Sequence, residues 1–501
     1  MGTRRRVRLT AASAVVVCMA LFLWSSGHAE FEVVAHADDG LVRTKPPRSL
    51  NDAHTSSSSS SSSNKHSTIS ASDNTCHNRD QQLRSTASSV DSIAQCHALG
   101  STFVTQLAAY INRHDTCRSR LAAESSSERV LMYSCESDKA GHFCGGMGDR
   151  FRGMITVFML ALLSDRRFEL FHPTPAPIEE FLEPNLYHYV PDVSSRSSRE
   201  DISRIPVDQS LMRLQRHKKF LRTLDSADSN GIGVLRVQSN SAGADSYIHR
   251  YPRWAARKGE LGLSSNCNIS CYFGCLHRVL FRASGELLTK INPAMPEGKF
   301  ISVQVRMGGS WAPGMRIAEP FRTPPAAVPH FVSMLQELKA LGKSNRDLFP
   351  PSGDVSWMKD AQIFVSSDAP RLISEIAKAL NTTVVKWIDG GFGHTDTLNL
   401  GDVKPAKYTK LSTKEIRENY ALTMANHFIL SQGSHMVMAQ SGFGDTAFWR
   451  SRLTATCLFV DMTNLNLGWQ HHLVYRGEGG SANAVRNRHV DLSKSPEPFY
   501  G

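Results

Sequence analysis

The chain has 501 residues, 41% hydrophobic and 21% charged, and its 57 Lys and Arg against 46 Asp and Glu give a formal charge of +11 and a pI near 9.2. A basic balance suits an anionic ligand such as a nucleotide diphosphate, and equally suits phosphate polymers or membranes. The charges are scattered rather than striped, with no zinc-finger spacing and no basic helix interleaved with aromatic residues, which excludes nucleic acid as the partner.

At the N-terminus Arg4, Arg5, Arg6 and Arg8 precede an uncharged apolar run from Leu9 to Trp24, the pattern of a cytoplasmic basic flank followed by a membrane segment. The run is shorter than the ~20 residues of a typical span but suits a thin early-secretory bilayer. Residues 1–28 are therefore expected to be a cytoplasmic tail and an uncleaved type II anchor. A signal peptide, cleaved after the small residues before Ala29, is the alternative, and either places the rest of the chain in the secretory lumen. Residues 29–90 are polar, with an unbroken serine run from Ser56 to Ser63; they cannot bury a core and read as a disordered stem. The rest, about 410 residues, exceeds one small core and predicts two domains, 91–297 and 298–480, followed by a tail at 481–501.

Cys18 lies in the apolar run, leaving cysteines at 76, 96, 117, 135, 144, 267, 271, 275 and 457. In an oxidising lumen these are expected to pair, with one left over. The cluster Cys267, Cys271 and Cys275 has a spacing that hints at a metal, but structural zinc sites use two paired clips, so disulfides are expected and no metal. Asn268 and Asn381 begin Asn-x-Ser/Thr sequons and are expected on exposed surface as N-glycosylation sites.

In the first half, Arg129–Cys135 holds a short strand, Cys144-Gly145-Gly146-Met147-Gly148 a glycine-rich loop, Asp149–Asp165 an apolar helix and Phe168–Phe171 a second strand. That order lets a phosphate or sugar approach backbone amides at a helix start; glycines that merely make a tight turn under a buried helix are the alternative. The second half predicts strands at Lys299–Arg306, Ala361–Val365, Thr383–Trp387, His435–Ala439 and Thr456–Val460. Helices are expected between them at Ala326–Leu341, Pro370–Leu380, Thr413–Ser431 and from about Asp445. Alternation at this spacing argues an α/β chain with a parallel sheet, two Rossmann-like domains in all.

Ligands bind beyond the carboxyl ends of such strands, where Arg306, Ser366–Asp368 and Ser441–Gly444 fall. A guanidinium ending a buried strand matches a diphosphate bidentately, and as a fixed cation it stabilises charge developing on a leaving nucleoside diphosphate; a structural salt bridge is the alternative. Asp368 either accepts from base or ribose donors or caps the next helix. Ser441 and its neighbouring amides either hold phosphate oxygens or form a plain helix cap.

These residues carry a resemblance. Cys144-Gly145-Gly146-Met147-Gly148-Asp149-Arg150-Phe151-Arg152-Gly153 is similar to the glycine-rich motif of plant cell-wall fucosyltransferases. Val303-Gln304-Val305-Arg306 resembles the arginine strand motif of α1,2-, α1,6- and protein-O-fucosyltransferases, and His427–Gln432 running into Ser441-Gly442-Phe443 resembles the last donor motif of the α1,6 group. The resemblance implies a GT-B fold with two Rossmann-like domains facing a cleft. It also implies metal-independent, inverting transfer of fucose from GDP-fucose to a glycan or glycoprotein, with Arg306 on the β-phosphate. Gly145, Gly146, Gly148, Arg150, Gln304, Arg306, Asp368, Asn426, Ser441, Gly442 and Phe443 are the donor-binding candidates it marks. With the anchor and stem, the layout is that of a Golgi type II membrane enzyme.

The chain departs from those families at Gln304, where His is common, at Met307-Gly308-Gly309, where an acidic residue follows the arginine, and at Asn426, where the α1,6 group has aspartate. The same fold serving another nucleotide sugar, or a lumenal binding protein without catalysis, therefore remains open. Inverting transfer calls for a general base; Asp149 and Glu319 are the carboxylates nearest the motifs, although Asp149 has a competing role as the first-turn acid of its helix. The Arg- and Ser-rich stretch from Pro173 to Gly262 is expected to supply acceptor-binding loops.

Overall fold

The computed structural model describes residues 93–114, 129–135, 145–191, 224, 234–237, 248, 251–308, 323, 325–344, 356–380, 385–388, 412–439, 441–451, 456–461, 469–476 and 482–490. All lie in one compact unit, Asp80–Gly501. The expected anchor and stem, together with Cys144, Gly309, Glu319 and Asn381, fall outside the described residues. Among the described residues no helix is long and apolar enough to cross a membrane.

The first half contains a parallel three-stranded sheet in the order β2-β1-β4, with β1 at Val130–Ser134, β2 at Arg167–Phe171 and β4 at Val234–Val237. A small antiparallel pair, β3 (Leu182–Pro184) and β5 (Phe281–Ala283), stands beside it. Its helices are α1 (Ser101–His114), α2 (Met147–Ser164), α3 (Pro252–Glu260), α4 (Ile269–Leu280) and α5 (Gly285–Ala294). Helix α2 connects β1 to β2 and is buried on every side from Gly153 to Ser164, as a helix apolar all round its circumference must be. It stops where Asp165 turns left-handed at φ 52°, a conformation aspartate tolerates, and Arg113 donates to that carboxylate at 2.7 Å.

Disulfides secure the other side of this core. Cys96–Cys275 ties the 3-10 turn Ala94–Leu99 to α4, and Cys267–Cys271 closes the entry to α4. The three clustered cysteines are thus spent on disulfides. Asn268 is exposed and caps α4, its side-chain oxygen accepting from the Ser270 amide at 3.1 Å and the Ser270 hydroxyl at 2.6 Å.

The second half holds a seven-stranded sheet in the order β12-β11-β10-β9-β6-β7-β8. Five strands run parallel: β6 (Phe300–Val305), β7 (Gln362–Ser367), β8 (Val385–Lys386), β9 (His435–Ala439) and β10 (Thr456–Asp461). The crossovers are α6 (Val328–Ser344), α7 (Pro370–Leu380), α8 (Thr413–Leu430) and α9 (Gly442–Arg450). Helix α8 starts on a capping box, in which Ser412 and Glu415 each satisfy the other's backbone amide. Beyond β10, the strands β11 (Trp469–Arg476) and β12 (Ala482–Val490) add antiparallel, pairing from Trp469 with Val490 to Arg476 with Ala482. The segment expected to be a tail from 481 therefore begins with a strand, paired antiparallel with β11 at the edge of the sheet.

The chain boundary near 297 is not a boundary of packing. Tyr420, Met424 and Phe428 of α8 and Ala447, Phe448 and Trp449 of α9 belong to the same buried cluster as Phe151, Phe158, Phe273 and Leu276 of α2 and α4. Arg417 of α8 adds ion pairs to Glu180 and to Glu286 of α5. A second apolar cluster lies between β6, β7, α6 and α7. The two halves thus meet through helices α8 and α9, which hang from the large sheet and bury against the smaller one's helices.

Candidate active site

In the large sheet β7 and β8 follow β6 on one side, whereas β9 and β10 lie on the other. Strand order reverses between β6 and β9, and loops leaving adjacent strands in opposite directions open a crevice at their carboxyl ends. Arg306 leaves β6 at this point and Ser441 follows β9. The Ser441 hydroxyl donates to the Gln304 side-chain oxygen at 3.0 Å, joining the two strands. It also accepts from the Gly444 amide at 3.0 Å, which makes it the N-cap of α9.

The backbone after Arg306 is clamped. One Asp368 oxygen accepts from the Met307 amide at 2.7 Å and the other from the Gly308 amide at 3.0 Å. The Thr323 hydroxyl donates to the Arg306 carbonyl at 2.7 Å. Gly308 takes the left-handed φ of 62° that this tight return needs. Burial raises the Asp368 pKa, while the two amides and the Arg306 charge lower it. Asp368 thus holds the arginine loop against β7.

From the other half, β1 delivers the glycine-rich loop and the start of α2. Gly145 has φ 74°, and Gly146 is the N-cap. Gly148 lies against α9: a Cβ there would fall deep inside the van der Waals distance of the Gly442 carbonyl and the Phe443 nitrogen. A Cβ on Gly442 would in turn come within 3.0 Å of the Asp149 carboxylate and 3.2 Å of the Arg152 guanidinium. Glycines from both motifs therefore let two helix N-termini abut, and both present their positive ends to one place. Phe443 turns inward, its ring 5.3 Å from that of buried His427.

Asp149 sits at this junction. Burial raises its pKa; Arg152, the Gly146 amide, Arg306 and Arg150 lower it, in that order. Arg152 reaches Asp149 at 3.6 Å, bonds Asp445 of α9 tightly, and lies over the Trp449 ring at 5.2 Å. Neither Arg152 nor Asp445 is singled out by sequence, although Arg152 stands three residues after Asp149 and so shares its helix face.

Two other expected residues lie in the interior. Arg150 is fully buried and donates to the Gly145 carbonyl at 2.8 Å, the Thr174 carbonyl at 2.7 Å and Cys135 Sγ at 3.1 Å. It braces the glycine loop from behind. Asn426 is buried in α8, its amide donating to the Leu422 carbonyl at 2.8 Å while its oxygen has no partner among the described residues. A cavity of about 300 Å³ lies away from the crevice, at the carboxyl ends of α8 and α9, between Arg278, Ser431 and Arg450. Gln304, Arg306, Asp368, Ser441, Gly442, Asp149 and the glycine loop are therefore drawn to one crevice, with Arg150 behind it.

The sequence matches no protein-family model and no curated protein sequence. Solved structures similar to the chain include fucosyltransferases. An arginine-to-lysine variant of Arabidopsis thaliana FUT1 in complex with GDP aligns at TM-score 0.45 and 12% identity, over 74% of this chain and 83% of that one. Fucosyltransferase NodZ from Bradyrhizobium aligns at TM-score 0.36 and 12% identity, over 68% and 98%. POFUT1 in complex with GDP-fucose aligns at TM-score 0.30 and 12% identity, over 67% and 98%.

Proposed function

We propose that the protein is a GT-B-type glycosyltransferase that moves fucose from GDP-fucose, with inversion and without a metal, to a glycan or glycoprotein in the Golgi lumen. One observation carries the reading: Arg306 stands at the switch point between β6 and β9, its loop clamped by Asp368, with its charge acting on Asp149 of the other half. A guanidinium carried there is suited to the β-phosphate, where negative charge grows as the sugar–phosphate bond breaks. The abutting N-termini of α2 and α9 add positive potential of the same sense. Asp149 would take the acceptor's proton, since its carboxylate feels the charge of Arg306 and its side chain is 41% exposed. Membrane anchorage belongs to the same proposal and rests on Arg4–Trp24.

Arg306→Ala is expected to lower GDP release from GDP-fucose at least 100-fold with an unchanged unfolding midpoint, as loss of a transition-state cation should. Unchanged turnover would overturn the reading. A thermal-shift panel of GDP-, UDP- and CMP-sugars separates the donors, and selective stabilisation by a non-GDP sugar would favour the same fold serving another one.

A further inference from the structure

Three charged side chains cross the junction of α2 and α9: Asp149 and Arg152 from the first helix and Asp445 from the second. Their contacts are unequal. Arg152 is bound tightly to Asp445 and stands 3.6 Å from Asp149. Its position is fixed further by the Trp449 ring beneath it and by Gly442, whose missing side chain leaves the space that the guanidinium and the Asp149 carboxylate occupy. Arg152 and Asp445 are 20% and 21% exposed, half the 41% of Asp149. Asp149 is thus the most exposed of the three.

We propose that Arg152 and Asp445 are positioning residues for Asp149, with Asp445 drawing the guanidinium away so that Asp149 is held in place yet stays basic enough to accept a proton. This rests on the reading of Asp149 as the general base of fucosyl transfer. In that step the acceptor oxygen bonds to the anomeric carbon and its proton passes to the Asp149 carboxylate. The bond from the anomeric carbon to the phosphate oxygen breaks, and its electron pair leaves with GDP beside Arg306.

The charges facing Asp149 give the arrangement a signed consequence. Arg150 and Arg152 act from its own helix, Arg306 from the end of β6, Asp445 from α9 and the Gly146 amide from the loop; Tyr133 of β1 lies within range of its charge. Neutralising Arg152 removes a cation from Asp149 and leaves Asp445 as an uncompensated neighbour, so both changes raise its affinity for a proton. Neutralising Asp445 removes a like charge and frees Arg152 to close on Asp149, so both changes lower it. A simple staple between helices has no such opposition of sign.

The test is the pH profile of kcat/KM for GDP release from GDP-fucose, with water as acceptor. Arg152→Gln should move the acid limb up by about one pH unit, a roughly tenfold loss at the acid end, and Arg152→Lys should restore most of it. Asp445→Asn should move the limb down, and Asp149→Asn should abolish it. Limbs that stay in place or move the same way in the Arg152→Gln and Asp445→Asn variants, with uniformly lower rates, would reduce the triad to a staple and overturn the proposal. A second measurement, the ¹³C-carboxyl titration of Asp149 in the same variants, needs no turnover. If wild type releases no GDP, the fucosyl-transfer reading fails, and so does the catalytic role given to Asp149. Opposite titration shifts would then show that the coupling stands without it, and equal or absent shifts would remove the coupling too.

Discussion

Alanine at Gly148 is expected to do more damage than its single methyl group suggests. The new Cβ would be forced upon backbone atoms of Gly442 and Phe443, and backbone cannot rotate aside as a side chain can. Restoring ordinary contact requires α2 and α9 to part by about 1 Å, which forfeits dispersion across a close-packed helix pair. Overpacking of this kind costs about 1–3 kcal/mol, and a clash with backbone belongs at the upper end. The same displacement moves Asp149 and the glycine loop relative to Arg306, and a misplacement of about 1 Å is worth roughly 100-fold in rate. Denaturant unfolding with GDP-fucose turnover on the same samples reads both losses. Gly259→Ala in α3, where a Cβ meets nothing within 4 Å, is the control and should stabilise by about 0.5–1 kcal/mol. Gly148→Ala with stability within about 0.5 kcal/mol of wild type and unchanged turnover would refute the close approach of the two motifs.

Acid should weaken the fold. Burial lowers the His435 pKa from 6.5 to about 4, and burial, with neighbouring arginines, holds His172, His277 and His427 well below the usual range. These groups are neutral in both states above pH 6.5, so stability is full there; below it the unfolded chain binds protons that the folded chain refuses. His435 alone should lose about 3 kcal/mol between pH 6.5 and 4, and a melting temperature flat across that window would contradict its burial. Cys96→Ala, which opens the bridge to Cys275 across 179 residues, should cost about 2–5 kcal/mol. Equal unfolding midpoints for that variant and wild type under non-reducing conditions would remove the bridge from the fold's support.

Elements whose cause is local were legible in the sequence. Helix Pro370–Leu380 and strand His435–Ala439 have the predicted bounds, the first because proline sets its opening φ and the second because five residues buried on both faces leave an apolar run. The start of α2 falls two residues before the expected Asp149, because Gly146 is a helix cap and Gly148 a helical residue chosen for contact with α9. Nothing at position 148 announces a partner that lies 294 residues away. The hairpin β11–β12 was hidden for a related reason, since its pairing is specified by a partner strand and its own residues alternate with Asn, Arg and His. Helix α4 is hidden by its cysteines: a spacing of four hints at a metal motif, although it is also the spacing of one helix face.

At the crevice, residue types were legible and their partners were not. Arg306, Ser441 and Asp368 were expected at strand ends because parallel alternation places strand ends at a ligand crevice. What each touches depends on atoms contributed by other segments. Asp368 gives each oxygen one amide, of Met307 and of Gly308, and so sets the position of the loop that carries Arg306. Ser441 likewise spends its hydroxyl on Gly444 and Gln304. Gln304 thereby acquires a physical reason. An amide oxygen accepts from the Ser441 hydroxyl in any protonation state, whereas an imidazole does so only while the facing nitrogen is unprotonated. The link between β6 and β9 consequently depends on no titratable group, and the switch point that carries Arg306 keeps its shape as pH changes.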